Sequence, residues 1–336
     1  MDRGENQEGD VGKLLVRVAM VFLVGIFPFL AAGQQAPLTQ KEVRDLIKKN
    51  KQNPELVVKT VTDQTVAFDL DRKIEEKLRS AGATNEILQA IWKAGPFYRT
   101  AKNSSLTSAT GKQLEATYDE AVAYQTIQNE LDPDKCLQMV ADFEKRYPNS
   151  QLLSHVYTQG ANAEQQKGDL AQVIALGEKS LKLDPDNVLS LILVAVTLPQ
   201  PKMIENLSAA ETNQRLAEAD ADAQHALTLT DKVPKRAEET DEQFQKRQAG
   251  LISDAHTALA LVNMQRDDTD KAIAEFQTAI ATAPKPNPVL YFRLGEIYAN
   301  NGNKAKALEA FQKASQFGEG TVLKQYADQR IQDLKK

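Results

Sequence analysis

Few residue types here could carry chemistry. His155, His225 and His256 are the histidines, and Cys136 is the single cysteine. A helical metal site needs a histidine with a Glu or Cys partner at a metal-ligand spacing such as i, i+4. The three histidines fall in different helical patterns with no Glu or Cys partner at such spacing. A lone cysteine excludes an internal disulfide and a cysteine-based zinc cluster; among Leu137, Met139 and Val140 it reads as core. Asp184-Pro185-Asp186-Asn187 offers carboxylates to calcium but lacks the glycine and the closing glutamate of a binding loop, so it reads as a helix cap. No glycine-rich loop cradles a phosphate, and no serine sits in a G-x-S-x-G elbow. Glu75-Glu76-Lys77 and Asp267-Asp268 read as solvated faces. The sequence therefore predicts no catalytic residue, no metal and no cofactor.

The elements around these residues are helices. Of 336 residues, 42% are hydrophobic and 26% charged, a globular rather than a disordered balance. A net charge of −5 without a basic stripe argues against nucleic acid as partner. The clearest stretch runs from Pro288 to Phe317. Tyr291, Leu294, Gly295 and Tyr298 share one helical face, Ala307, Phe311 and Ala314 share another, and Asn301-Gly302-Asn303 turns the chain between them. Small residues stand where two helix axes approach and large ones where a neighbouring pair leaves room. This pattern resembles the tetratricopeptide repeat, W-x2-L-G-x2-Y then A-x3-F-x2-A then Pro, with Tyr291 for Trp and Glu319 for Pro as departures.

The pattern recurs towards the N-terminus. Ala272, Phe276, Ala279 and Pro284 precede it by 35 residues. Tyr157, Ala161, Gly168, Leu183 and Pro185 mark another unit, Cys136, Val140, Phe143 and Pro148 a weaker one, and Ala219, Ala223 and Ala226 a divergent one. Equivalent second-helix positions Cys136, Val173, Ala219 and Ala272 are 37, 46 and 53 residues apart. Insertions are thus expected around Pro199 to Asn213 and Val233 to Lys246, the latter with Thr240-x-x-Gln243 capping a lengthened helix. The resemblance implies an all-α, right-handed solenoid of about five helix-turn-helix repeats within 113–336. The units lie near 117–150, 154–187, 188–233, 253–286 and 288–319, and a capping helix at 320–335 buries Leu323, Ala327, Ile331 and Leu334.

Ahead of the array, 34–95 forms a small helical module. Leu38, Leu46 and Asn50 recur 32 residues later as Leu70, Leu78 and Gly82, giving two helix pairs, each with a turn residue able to take a left-handed conformation. Thr39-x-x-Glu42 is a capping box and Asn53-Pro54 a cap before a first-turn proline. The module is similar to one found in secreted acidobacterial proteins. Residues 96–112, rich in Ser, Thr, Gly and Lys, read as a linker. At the N-terminus, Lys13 and Arg17 precede an uncharged apolar run from Val18 to Ala32, then small residues, the layout of a signal peptide over 1–33. Its 15 residues fall short of the ~20 that span a membrane, and no cysteine follows for lipid attachment. The expectation is a periplasmic or secreted chain without stable membrane insertion after cleavage. Retention as an anchor stays open, as does a start at Val11, which the acidic stretch Asp2 to Asp10 suggests.

Function is then expected from the surface. The resemblance implies a groove lined by first helices that takes a protein or peptide partner. The groove positions are His155, Thr158, Asn162, Leu189, Ile192, Val196, Asp254, Thr257, Leu261, Phe292 and Glu296, a set without Lys or Arg. Helix Val188 to Leu198 is apolar nearly all round, so Leu189, Ile192 and Val196 need a cover. Either Met203, Ile204 and Leu207 of the first insertion fold back over them, or a ligand does. The primary expectation is a non-enzymatic interaction scaffold of the cell envelope; the alternative is an accessory or regulatory subunit that docks through the N-terminal module.

Overall fold

The computed structural model describes residues 36–95, 98, 108, 114–235 and 239–336. The expected signal peptide and almost all of the expected linker lie outside the described residues. Sixteen α-helices are described. The N-terminal module holds α1 (Gln40–Lys49), α2 (Pro54–Gln64), α3 (Arg72–Ala81) and α4 (Asn85–Ala94). Then come α5 (Tyr118–Asn129), α6 (Pro133–Arg146), α7 (Leu153–Lys167), α8 (Leu170–Leu183), α9 (Val188–Thr197) and the single-turn α10 (Pro201–Ile204). The array continues with α11 (Ala209–Leu229), α12 (Asp241–Gln265), α13 (Thr269–Thr282), α14 (Pro288–Asn300), α15 (Lys304–Phe317) and α16 (Val322–Lys335).

Local chemistry sets the helix ends. Thr39, Thr117, Ser208 and Thr240 each accept from the backbone of the third helical residue, whose Glu or Gln side chain answers the cap's own N–H; each such box satisfies two otherwise orphaned donors. In the module, Gly82 ends α3 in the left-handed region at φ 111. Asn50, expected to match it, stays at φ −117. Its amide donates instead to the Leu46 carbonyl at 2.9 Å, a side-chain closure of the turn that glycine cannot make. An isolated parallel bridge, Leu38 to Val66, ties the start of α1 to the end of α2.

Beyond the module the helices alternate as first and second members of pairs. Each second helix, α6, α8, α11, α13 and α15, packs on its own first helix and on the next one, so no pair covers its own apolar faces and stacking is what buries them. Phe143, Phe276 and Phe311 are the fully enclosed large side chains of three second helices. Close approach is written in glycine: a Cβ on Gly177 would lie 2.4 Å from Val194 Cγ2, and one on Gly295 2.8 Å from the Phe311 ring. The final helix α16 buries Ala327 and adds Ile331 and Leu334 to the last core cluster.

Two features modify this regular stack. The module does not stand apart, because one continuous core runs from Val43 through Trp92 to Tyr118, Phe143 and Tyr157. The Tyr118 hydroxyl donates to Glu75 at 2.9 Å, its backbone N–H donates to the Gln89 side chain, and its ring lies 6.1 Å from Trp92. Between α7, α8 and α9, a buried polar network joins Ser154, Thr158, Ser180, Asn187 and Ser190. Asn187 donates to the hydroxyls of Ser154, Thr158 and Ser180 at 2.9, 3.1 and 3.2 Å, and Thr158 meets Ser190 at 2.7 Å. Each buried polar group thereby has a partner, the condition under which such a network costs little.

Candidate functional site

The expected groove side chains separate into three groups. Leu189 is open, 45% exposed. Ile192 and Leu261 are not groove residues: each is only 6% exposed. Ile192 joins a cluster with Leu229, Leu251 and Ala255, while Leu261 joins one with Leu290, Leu294 and Ile297. Val196 is half-buried and touches the clusters on both sides of it. Ile192 is therefore covered by α12, which lies directly against α9, and not by the first insertion, while Leu189 stays uncovered. Met203 packs on the opposite side, with Val194, Leu198 and Leu216, where Arg215 holds its carbonyl at 2.8 Å.

The physical cause is the length of α12. Its 25 residues add turns ahead of the repeat proper, and Leu251 at their end meets α9. Arg247 anchors that extension through paired bonds to Glu239, 2.9 and 2.8 Å, and a third to the Pro234 carbonyl. The first-helix backbones approach closely at α9/α12 and less closely further on, where α12 and α14 meet through side chains of one core cluster around Leu261 and are joined mainly through α13.

Thr257, Phe292 and Glu296 are the expected residues that remain partly exposed on α12 and α14. Each is already engaged. The Thr257 hydroxyl donates to Ser253 O at 2.8 Å, Phe292 stands edge-on to Phe311 at 5.3 Å, and Glu296 pairs with Arg330 of α16 at 2.6 Å. The unengaged groups are two charges. Asp254 on α12 keeps more than a third of its surface to solvent, yet the protein atoms ringing it push its carboxyl above the usual carboxylate range. Arg293 on α14 is half-buried, and burial draws its guanidinium below the ordinary arginine range. Neither makes a hydrogen bond or ion pair among the described residues.

Arg293 is a cation on the first helix α14 that the expected set of groove residues left out. It shares a helical stripe with Val289, Glu296 and Asn300, at intervals of three and four, so the residue spacing alone contained the signal. Of the histidines, His225 meets Asp186 at 3.0 Å and His256 meets Glu275 at 2.6 Å. Cys136 is a buried free thiol, raised above its ordinary pKa by burial. Among the described residues no cluster of His, Cys, Asp or Glu is arranged to hold a metal ion, and no helix is long and apolar enough to cross a membrane.

The fold is thus that of an all-helical solenoid of stacked helix pairs. Residues 288–317 match the family model for the tetratricopeptide repeat, so the chain carries such a repeat at α14 and α15, and the neighbouring pairs pack in the same manner. Superkiller protein 3 of Schizosaccharomyces pombe is 32% identical over 108 residues, which are 32% of this chain and 8% of that protein. Among solved structures, the chain is similar to a thermophilic tetratricopeptide repeat protein of Thermus thermophilus, with TM-score 0.47 and 15% identity over 63% of this chain and 98% of that one. It is also similar to the Cut9-Hcn1 hetero-tetramer of the APC/C, with TM-score 0.45 and 12% identity over 88% of this chain and 46% of that one.

Proposed function

We propose that this protein is a non-enzymatic interaction scaffold that takes a peptide or partner helix in the cleft between α12 and α14. Repeat proteins of this type generally act by binding other proteins, and the rigid stack of pairs supplies an extended surface for it. The observation that carries the reading is that Asp254 on α12 and the half-buried Arg293 on α14 make no hydrogen bond or ion pair among the described residues. A half-buried guanidinium is better satisfied when an opposite group meets it. The ligand is then a segment with an acidic group for Arg293 and a cationic or hydrogen-bond-donating group for Asp254, with apolar contact to Phe292. The Lys13-to-Ala32 pattern supports action in the periplasm or outside the cell, where the partner would be met.

Partners recovered from envelope extract and identified by mass spectrometry provide the test. Their purified affinities should fall at least tenfold for Arg293→Gln at an unchanged melting temperature. Equal affinities for the variant and the parent would refute the cleft as the binding site. N-terminal sequencing of the exported protein should begin at Gly33 or Gln34.

A further inference from the structure

Where the N-terminal module meets the first helix pair, α3, α5 and α6 enclose a cleft of about 440 Å³, within the range of ligand sites. It shares no residue with the cleft between α12 and α14. Its floor is apolar: Val122, Met139 and Tyr147 are partly exposed there, over the buried Ile127 and Phe143. Its rim is acidic. Glu76 comes from α3, Asp119 from α5 and Asp142 from α6, and none of the three has a hydrogen bond or ion pair among the described residues. The fourth rim carboxylate, Glu75, is engaged by Arg79 at 2.6 Å and by the Tyr118 hydroxyl at 2.9 Å. The rim's cation, Arg146, lies over the Tyr147 ring at 5.2 Å.

We propose that this composite cleft binds a cationic, amphipathic segment of a partner protein. Its lysine or arginine heads meet Glu76, Asp119 and Asp142, and its apolar side chains lie on Val122, Met139 and Tyr147. Charge selects this occupant. A purely apolar segment would desolvate three carboxylates without compensation, and an acidic one would be repelled. Long basic side chains suit the shape, because their stems cover apolar surface while their heads reach a charged edge. The cleft also gives the module a role in recognition, since Glu76 lies on α3, which the shared core and the Tyr118–Glu75 bond hold against the array.

Isothermal titration of the purified protein with a capped amphipathic leucine-lysine helix peptide tests this. The parent should bind, and the counterpart peptide with glutamate for lysine should not. A variant carrying Glu76→Gln, Asp119→Asn and Asp142→Asn should bind at least tenfold more weakly at an unchanged melting temperature. A control with the same charge change elsewhere, Glu205→Gln, Asp231→Asn and Glu319→Gln, should bind as the parent does, and so should Arg293→Gln. No binding by the parent, no loss in the rim variant, or an equal loss in the control would overturn the proposal. Loss in Arg293→Gln would place the peptide in the other cleft and overturn it too. A dimer of the protein alone that the rim variant abolishes would make a second copy the occupant, and would likewise overturn it.

Discussion

Truncating Ile192 and Leu189 to alanine separates a core position from a surface one within a single helix. The two side chains are three residues apart on α9, yet Ile192 is 6% exposed and Leu189 45%. Ile192→Ala removes three carbons, worth about 0.8 kcal/mol each in lost transfer free energy. Its surroundings, Leu229 of α11 with Leu251 and Ala255 of α12, belong to helices held by their own neighbours and close poorly on a void. A cavity contribution therefore adds to the loss, and the total should be about 3 to 4 kcal/mol. Leu189→Ala removes three carbons that are already half in water, so it should cost about 1 kcal/mol or less. Urea unfolding followed by far-UV circular dichroism, with equal m-values required for the comparison, measures both. Equal costs would put Ile192 in open solvent and refute the packing of α12 on α9.

Two further perturbations follow from the same geometry. Asp222 is raised to about 6, first by burial and then by Glu218 and Glu178, so the folded state holds its proton more tightly than the unfolded chain. Its contribution is present below the ordinary pKa of 3.8 and is lost as pH rises through 6. Asp222→Asn should therefore stabilise the protein by on the order of 2 kcal/mol at about pH 7.5 and not at about pH 3.5; identical gains at both pH values in chemical denaturation would contradict this. Gly295→Leu must displace the Phe311 ring, which a bare Cβ already approaches to 2.8 Å. It should cost about 1 to 3 kcal/mol, and a wild-type melting temperature would be the contrary result.

What could be read in advance was whatever a short window decides. The caps at Thr39, Asn53 and Thr240, the turn at Gly302 and the small-against-large pairing of Gly295 with Phe311 all depend on residues in one helix pair. The cover of α9 depends instead on residues far apart in the chain, Ile192 and Leu251, brought together by an insertion whose length was legible but whose direction was not. Arg293 was missed because Phe292 and Glu296 drew attention one position to its side, and both of those meet residues of α15 and α16. The docking of the module on α5 was hidden by the polar stretch 96–112, since Trp92 and Tyr118 lie on either side of it and neither alone announces a partner.

The wider backbone separation of α12 and α14 has a consequence for how the molecule comes apart. In a linear array, each unit is held by its own stability and its interfaces with the units beside it. Elsewhere a first helix has its backbone close to the preceding first helix as well as to a second helix; at this step only α13 approaches so closely, α12 contributes side chains around Leu261, and the connecting segment Ala283-Pro284-Lys285-Pro286-Asn287 adds little buried surface. Opening should begin at this seam, so that α14 to α16 exchange their amide hydrogens as one block, sooner than α7 to α12. A ligand bridging Asp254 and Arg293 would clasp the two sides of the seam, and its affinity would be readable as slowed exchange throughout the last three helices.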